Sequence, residues 1–236
     1  MYKEIKKTKR EKLKIRFKVV RLAHSIVMSS FDEIYDFNEF MKSAIKKEKS
    51  QSATRLEKGA IGLEKEELDL YWDYFAEDCQ KIGSVFEKLA LESFVVMIYS
   101  RVETGMATLC DAIRQDKQKE TGDSTLLRYS DLRGSGYLDQ AKLYMEKVLG
   151  IDLELRSNPQ WPEIMALKTL RNAIVHEKGQ LKTKNSTLKK HIKHGFIELR
   201  NQNVEKEEIS GSAIVKATYI DYILPEIRKF FQDIKI

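Results

Sequence analysis

Proline is scarce in this chain, three residues in 236, and glycine contributes only eleven. Collagen-like sequence is thereby excluded, and a hydrophobic content of 42% beside 33% charged residues removes disorder as well, leaving a helix-rich globular composition. Cysteine is rarer still: Cys79 and Cys110 carry no CxxC spacing, so neither a zinc site nor a disulfide framework is indicated. Both lie within apolar helical patterns and are expected to be buried thiols of a cytoplasmic protein. No long hydrophobic run exists. The longest, "FVVMIYS" at 94–100, falls far short of the roughly 18 residues a membrane span needs. The N-terminal "MYKEIKKTKREKLKIRFK" has no apolar stretch after its charges, so neither a secretory signal nor a membrane partner is expected. The length suffices to bury a core without a metal or a disulfide.

Charge of one sign is missing from two segments. Residues 1–18 hold nine Lys/Arg against Glu4 and Glu11, and residues 178–200 hold seven against Glu198, on a chain whose net charge is only +6. The rest is acidic, much of it in "LEKEELDLYWDYFAED" (63–78). Two basic segments on an acidic body fit contact with a polyanion. They equally fit solvated helix faces neutralised by the acidic stretch.

Apolar residues recur every three to four positions from Leu13 to Ile45, which predicts one long helix, or two divided near "SSFD" with Ser30 as a cap. The polar 47–62 stretch with its two glycines reads as a connecting loop, and a helix follows to about Lys81. Gly83-Ser84 marks a break, after which residues 85–115, apolar almost all round, predict a buried central helix. Residues 116–137 read as an ordered loop, and a helix from Tyr137 to Leu149 is closed by Gly150. "SNPQWPEIMALKTLRNAIVHEKG" is a punctuated helix: Asn158 or Ser157 as cap, Pro159 and Pro162 in the first turn, Gly179 at the end. Weak alternation over 195–214 predicts a small β-hairpin, and the last helix contains Pro225, which should kink or break it. The fold class expected is all-α, an antiparallel helical bundle with a small hairpin before the C-terminal helix. Residues 1–60 form a basic helical extension packed on the bundle of 61–236, one structural unit overall.

The chemistry concentrates in "LRNAIVHEKG" (170–179). On a helix Lys168, Asn172 and His176 share one row, while Trp161, Ile164, Met165, Ala173 and Ile174 face a core. Arg171 and His176 are about 140° apart round the axis and roughly 7.5 Å along it. They should not stack directly, but arginine's length lets guanidinium and imidazole reach one phosphate-sized target. Attack of an RNA 2′-hydroxyl on its own phosphate needs that pair, a histidine to move the proton and an arginine to stabilise charge on phosphorus. No metal or cofactor is required, in keeping with the absence of an Asp/Glu/His ligand cluster in the sequence. The spacing alone equally suits a histidine on a helix C-terminus and an arginine in a surface ion pair.

"LRNAIVHEKG" resembles the signature of the HEPN superfamily, Arg-polar-x-x-x-His with Asn as the usual polar residue. "YSRVETGMATLC" (99–110), "YSDLRGSGYLDQAKLYMEKVLGID" (129–152) and "PQWPEIMALKTLRNAIVHEKG" (159–179) are similar, in order, to the body of bacterial HEPN proteins over roughly 85–236. That resemblance implies a helical bundle dimerising so that two motif helices face one cleft, Arg171 of one chain complementing His176 of the other. It implies metal-independent endoribonuclease activity, as a toxin of a toxin–antitoxin pair or an abortive-infection effector in defence, with an antitoxin protein as a partner. By position His176 is then general base or acid, Arg171 the phosphate binder and Asn172 the orienting residue. Where adenylylated relatives carry a tyrosine three residues after the histidine, this chain has Gly179, so that mode of inactivation is not expected. The competing expectation is a catalytically silent scaffold binding RNA, nucleotide or protein through the same cleft. A plain helical interaction module is a third.

Glu103, on the predicted central helix, is a candidate to fix His176 or Arg171, or else a structural ion-pair partner. Lys168, Lys178, Lys182 and Lys184 are candidates to hold the RNA backbone, with Lys189, Lys190, His191 and His194 following. "HIKH" (191–194) lacks cysteine or carboxylate companions, so no metal is assigned there. Aromatics are not grouped in an RNP-like strand, and "DLRGSG" is not a Walker loop.

Overall fold

A computed structural model of the protein describes residues 9–133, 136–151, 155 and 157–234, and not the side chains of 9–18, Cys79 and Ile82. The side chains of the basic stretch at 1–18 and the expected burial of Cys79 therefore lie outside what is described. The chain is mostly helical: α1 (Lys9–Ala60), α2 (Lys65–Gln80), α3 (Phe86–Thr121), α4 (Tyr137–Tyr144), α5 (Trp161–His176), α6 (Ser186–Lys193) and α7 (Ala217–Asp233). Strands β1 (Gln180–Thr183), β2 (Ile197–Glu205) and β3 (Glu208–Val215) form an antiparallel sheet in the order β1-β3-β2. The hairpin expected over 195–214 is β2–β3, and β1 adds a third strand to it. No helix among the described residues is long and apolar enough to cross a membrane.

Expected breaks at 47–62, Gly83-Ser84 and Pro225 are not breaks, and of the two readings of the first helix the single one holds. The loop at 47–62 is helical as far as Ala60, because a polar stretch without proline keeps helical backbone when one side of it finds a partner. Here Tyr71 donates its hydroxyl to the Leu56 carbonyl (3.0 Å), bringing α2 onto the end of α1. Ser30 does not cap a new helix; its hydroxyl bonds back to the Val27 carbonyl (2.7 Å) inside an unbroken α1. Gly83-Ser84 sits in a π-helical turn, Lys81–Val85, that carries α2 into α3, with the Ser84 hydroxyl donated to the Gln80 carbonyl (3.0 Å). Pro225 likewise does not end α7: the position is exposed, so the ring sits towards solvent and the helix continues to Asp233. α3 also runs on to Thr121, which shortens the expected 116–137 loop from its start. Other punctuation is as expected. The Asn158 side chain accepts from the amides of Gln160 (2.9 Å) and Trp161 (3.1 Å), and Gly150 adopts φ +68 after the 145–149 turn.

The chain divides into two compact units, and each draws on residues from both sides of position 60. The first takes Met1–Asp32, Ile98–Ile164 and Leu224–Ile236. Its core joins Val27 and Phe31 of α1 to Val102, Met106 and Leu109 of α3 and Ile227, Phe230 and Phe231 of α7, all buried. Phe31 and Phe231 lie 5.3 Å apart between ring centroids. A Cβ on Gly105 would meet Phe231 and Val27 at 3.0 Å, so glycine lets these helices close up there. Cys110 is buried in this core, and desolvation pushes its thiol up to about 12.

The second unit takes Glu33–Met97 and Met165–Ile223. Leu167, Leu170 and Ala173 of α5 are buried in it, with Leu181 of β1, Ala213 and Val215 of β3, and Tyr219, Ile220 and Ile223 of α7. α1 is tied in through Asn38, whose amide reaches the Asp221 carboxylate at 3.3 Å, and through Lys42, held by both Asp221 and Glu39.

Phe231 is fully buried against Phe31 and Phe230. Phe231→Ala is expected to lower unfolding free energy by about 3–5 kcal/mol in urea titration, the range for deleting a buried aromatic.

Candidate functional site

The motif occupies the exposed end of α5. Leu167, Leu170 and Ala173 turn inward, which leaves Arg171 half-buried and Asn172 and His176 exposed. His176 is the last helical residue, because the two residues after Glu177 take left-handed backbone: Lys178 at φ +51 and Gly179 at φ +81. Glu177 and Gly179 both donate their amides to the Ala173 carbonyl, at 3.1 and 2.9 Å, and this closes the helix.

Contrary to the expectation from helical geometry, Arg171 and His176 meet within one chain. Arg171 Nη1 donates to Asn172 Oδ1 at 3.0 Å and lies 3.1 Å from His176 Nε2. A guanidinium only donates, so this contact is a hydrogen bond in the tautomer whose Nε2 accepts and whose proton sits on Nδ1. One terminal nitrogen thus spends its two N–H groups on the two neighbours that the motif supplies. Asn172 fixes the guanidinium, and the guanidinium fixes the imidazole. Helical phase alone did not indicate this, because the arginine's reach covers the missing angle.

The other candidates lie on different elements. Lys168 is half-buried on α5, one helical turn before Asn172; Lys178 is exposed in the left-handed turn and Lys184 just after β1. Lys182 is exposed on β1, with its ammonium 3.2 Å from the Glu208 carboxylate of β3. Glu103 belongs to the first unit, partly buried on α3.

His191 is not available to a ligand at the surface. It is buried among Tyr219, Tyr222 and Phe196, with ring centroids 5.3, 5.5 and 6.2 Å away. Among the described residues no group of three or more His, Cys, Asp or Glu is placed to hold a metal.

Sequence reading missed α6, which follows β1 directly. Its signal was present: the Asn185 side chain caps it by accepting from the Leu188 amide at 2.9 Å, and Leu188 and His191 are spaced to face inward.

Comparison of the chain with protein-family models, curated proteins and solved structures finds no match.

If the Arg171 bond selects the tautomer, nitrogen-15 NMR of the neutral ring will show His176 Nε2 unprotonated and Nδ1 carrying hydrogen. Arg171→Ala is expected to return the ring toward the Nε2–H form. An unchanged tautomer in that variant would mean that the arginine does not orient the ring.

Proposed function

We propose that the protein is a metal-independent endoribonuclease of HEPN type. The single observation supporting this is the Arg171 guanidinium bound at once to Asn172 Oδ1 and His176 Nε2 on an exposed helix end. In this reading an RNA phosphate takes over the guanidinium, which binds phosphate oxygens better than a neutral nitrogen because the contact is charge-assisted. Release of Nε2 leaves the imidazole as a base beside the 2′-hydroxyl. The 2′-oxygen bonds to phosphorus as its proton passes to Nε2, Arg171 stabilises the added negative charge, and the bond to the 5′-oxygen breaks. The imidazolium gives its proton to that oxygen. The products are a 2′,3′-cyclic phosphate and a 5′-hydroxyl, and the ring is again neutral. Asn172 orients Arg171, and Lys168, Lys178 and Lys184 line the approach.

The resemblance extends the proposal to an antiparallel helical bundle acting as a cytoplasmic homodimer, two motif helices facing one cleft. Its setting is a toxin–antitoxin pair or abortive infection, with an antitoxin protein as partner. Because the guanidinium and imidazole already meet in one chain, each chain contributes a whole pair to that cleft. One observation favours a second reading: Nε2 is occupied by Arg171 as it stands. A silent scaffold that binds RNA through the same residues without releasing the base would keep that bond.

Purified wild type, Arg171→Ala and His176→Ala incubated with total RNA in EDTA separate the two. The nuclease reading predicts fragments ending in 2′,3′-cyclic phosphate from wild type and a loss of about 10²–10⁴-fold in each variant. RNA bound but uncut by all three would establish the scaffold instead.

A further inference from the structure

We propose that α6 holds the phosphate backbone of the RNA, through Lys184, Lys190 and Lys193 with His194 at its end; this rests on the RNA-directed reading of the motif. The segment 182–194, "KTKNSTLKKHIKH", contains five lysines and two histidines and no carboxylate. Folding sorts these cations into two sets. Leu188 and His191 are buried, which turns Ser186, Lys190 and Lys193 to the opposite, exposed side of the helix. Lys190 and Lys193 are three residues apart, hence about 60° round the axis and roughly 4.5 Å along it. Two flexible ammonium groups so placed span neighbouring phosphates of one strand.

The second set is engaged elsewhere. Lys189 Nζ is bonded to the Glu207 carbonyl, and Lys182 Nζ lies 3.2 Å from Glu208 Oε2, so both are held at the turn between β2 and β3. Glu198, the acid that follows α6 in sequence, is paired with Lys216 at 2.9 Å. Lys184, Lys190 and Lys193 are exposed and have no ion pair among the described residues. A solvated surface helix ordinarily intersperses both signs of charge. Here Glu208 and Glu198 are matched to Lys182 and Lys216, and the outward face of α6 itself carries no acid. β1 leaves the motif helix through the turn at 178–179 and leads directly into α6, so a strand bound at His176 has this face further along the same unit.

The occupant is a nucleic-acid strand because what is offered is charge without an apolar companion: Ser186 and lysines, with the apolar residues of α6 turned inward. An anionic membrane would call for exposed apolar side chains beside the lysines.

The test uses the full chain carrying His176→Ala, so that RNA is bound without being cut. The probe is a fluorescent single-stranded RNA of about 20 nucleotides, titrated between about 50 and 200 mM salt. Lys190→Ala/Lys193→Ala is expected to weaken binding and to flatten the slope of log affinity against log salt by about 1.4, from about 0.7 per single-strand phosphate contact. Lys182→Ala/Lys189→Ala removes the same formal charge from the same segment. It is expected to lower the thermal midpoint while leaving the slope unchanged. Parental affinity and slope in the first double variant, or an equal loss in the second, would overturn the proposal. So would a parent that binds no RNA, or a first double variant that loses binding to phosphatidylglycerol vesicles and not to RNA. Wild type that cuts nothing, with the contrast between the two double variants intact, would remove the nuclease reading and leave α6 standing.

Discussion

Two consecutive left-handed residues, Lys178 and Gly179, are the constraint on which the second unit depends. A side chain at φ near +50 costs roughly 1–2 kcal/mol, and glycine takes the next position without that penalty. The turn ends α5 with His176 as its last residue, since both following donors fold back onto the Ala173 carbonyl. It also sets the sheet. The Gly179 carbonyl accepts the Ala213 amide of β3 at 2.9 Å, which pairs Gln180 with Ser212 and fixes the register of β1. Because strands alternate faces, that register buries Leu181 and Thr183 and leaves Gln180 and Lys182 outside. One backbone feature therefore places both the imidazole and the strand that leads to α6.

The chemistry at the helix end follows from the shape of arginine. Its planar fork carries paired donors on one nitrogen, so Nη1 can hold Asn172 and His176 together, and a lysine ammonium has no such planar geometry. The bond to Nε2 exists only for the neutral ring, since the protonated ring has no acceptor there. Protonation therefore competes with this contact, and in the proposed reading phosphate binding does so too. In the proposed cycle the guanidinium moves from ring to phosphate, and the ring gains a lone pair when substrate arrives. In that proposed cycle arginine links occupancy of the site to the presence of a base in it.

Much of this was legible in the sequence, for local reasons. Asn158, Pro162 and Gly179 punctuate α5 by their own backbone chemistry, and Gly150 closes the preceding turn in the same way. Val95, Ile98, Val102, Met106 and Leu109 announced a buried helix because these apolar side chains recur at helical spacing. Errors arose where one signal had two physical outcomes. The Ser84 hydroxyl, of a kind that caps helix starts, instead bonds back to a carbonyl within a helix, and the neighbours decide between the two. Four-residue β1 has too little sequence to show a period, and pairing with β3 makes it a strand. His191 looked like a surface ligand beside His194 because its aromatic surroundings come from α7 and Phe196, residues remote from it or outside its helix. At the motif, residue identity was legible, but the Arg171–His176 contact depends on a side-chain conformation that spacing does not encode.

Guanidinium and imidazole are proposed to act as a pair within one chain. The most direct measurement of this is complementation in trans: Arg171→Ala and His176→Ala proteins mixed in equal amounts, allowed to exchange subunits, and assayed for RNA cleavage beside wild type. With a pair confined to one chain, the mixture is expected to stay as inactive as either variant alone, since neither chain holds a complete pair. Recovery of a substantial fraction of wild-type cleavage would contradict it, because the arginine and the histidine would then be serving one another from different chains.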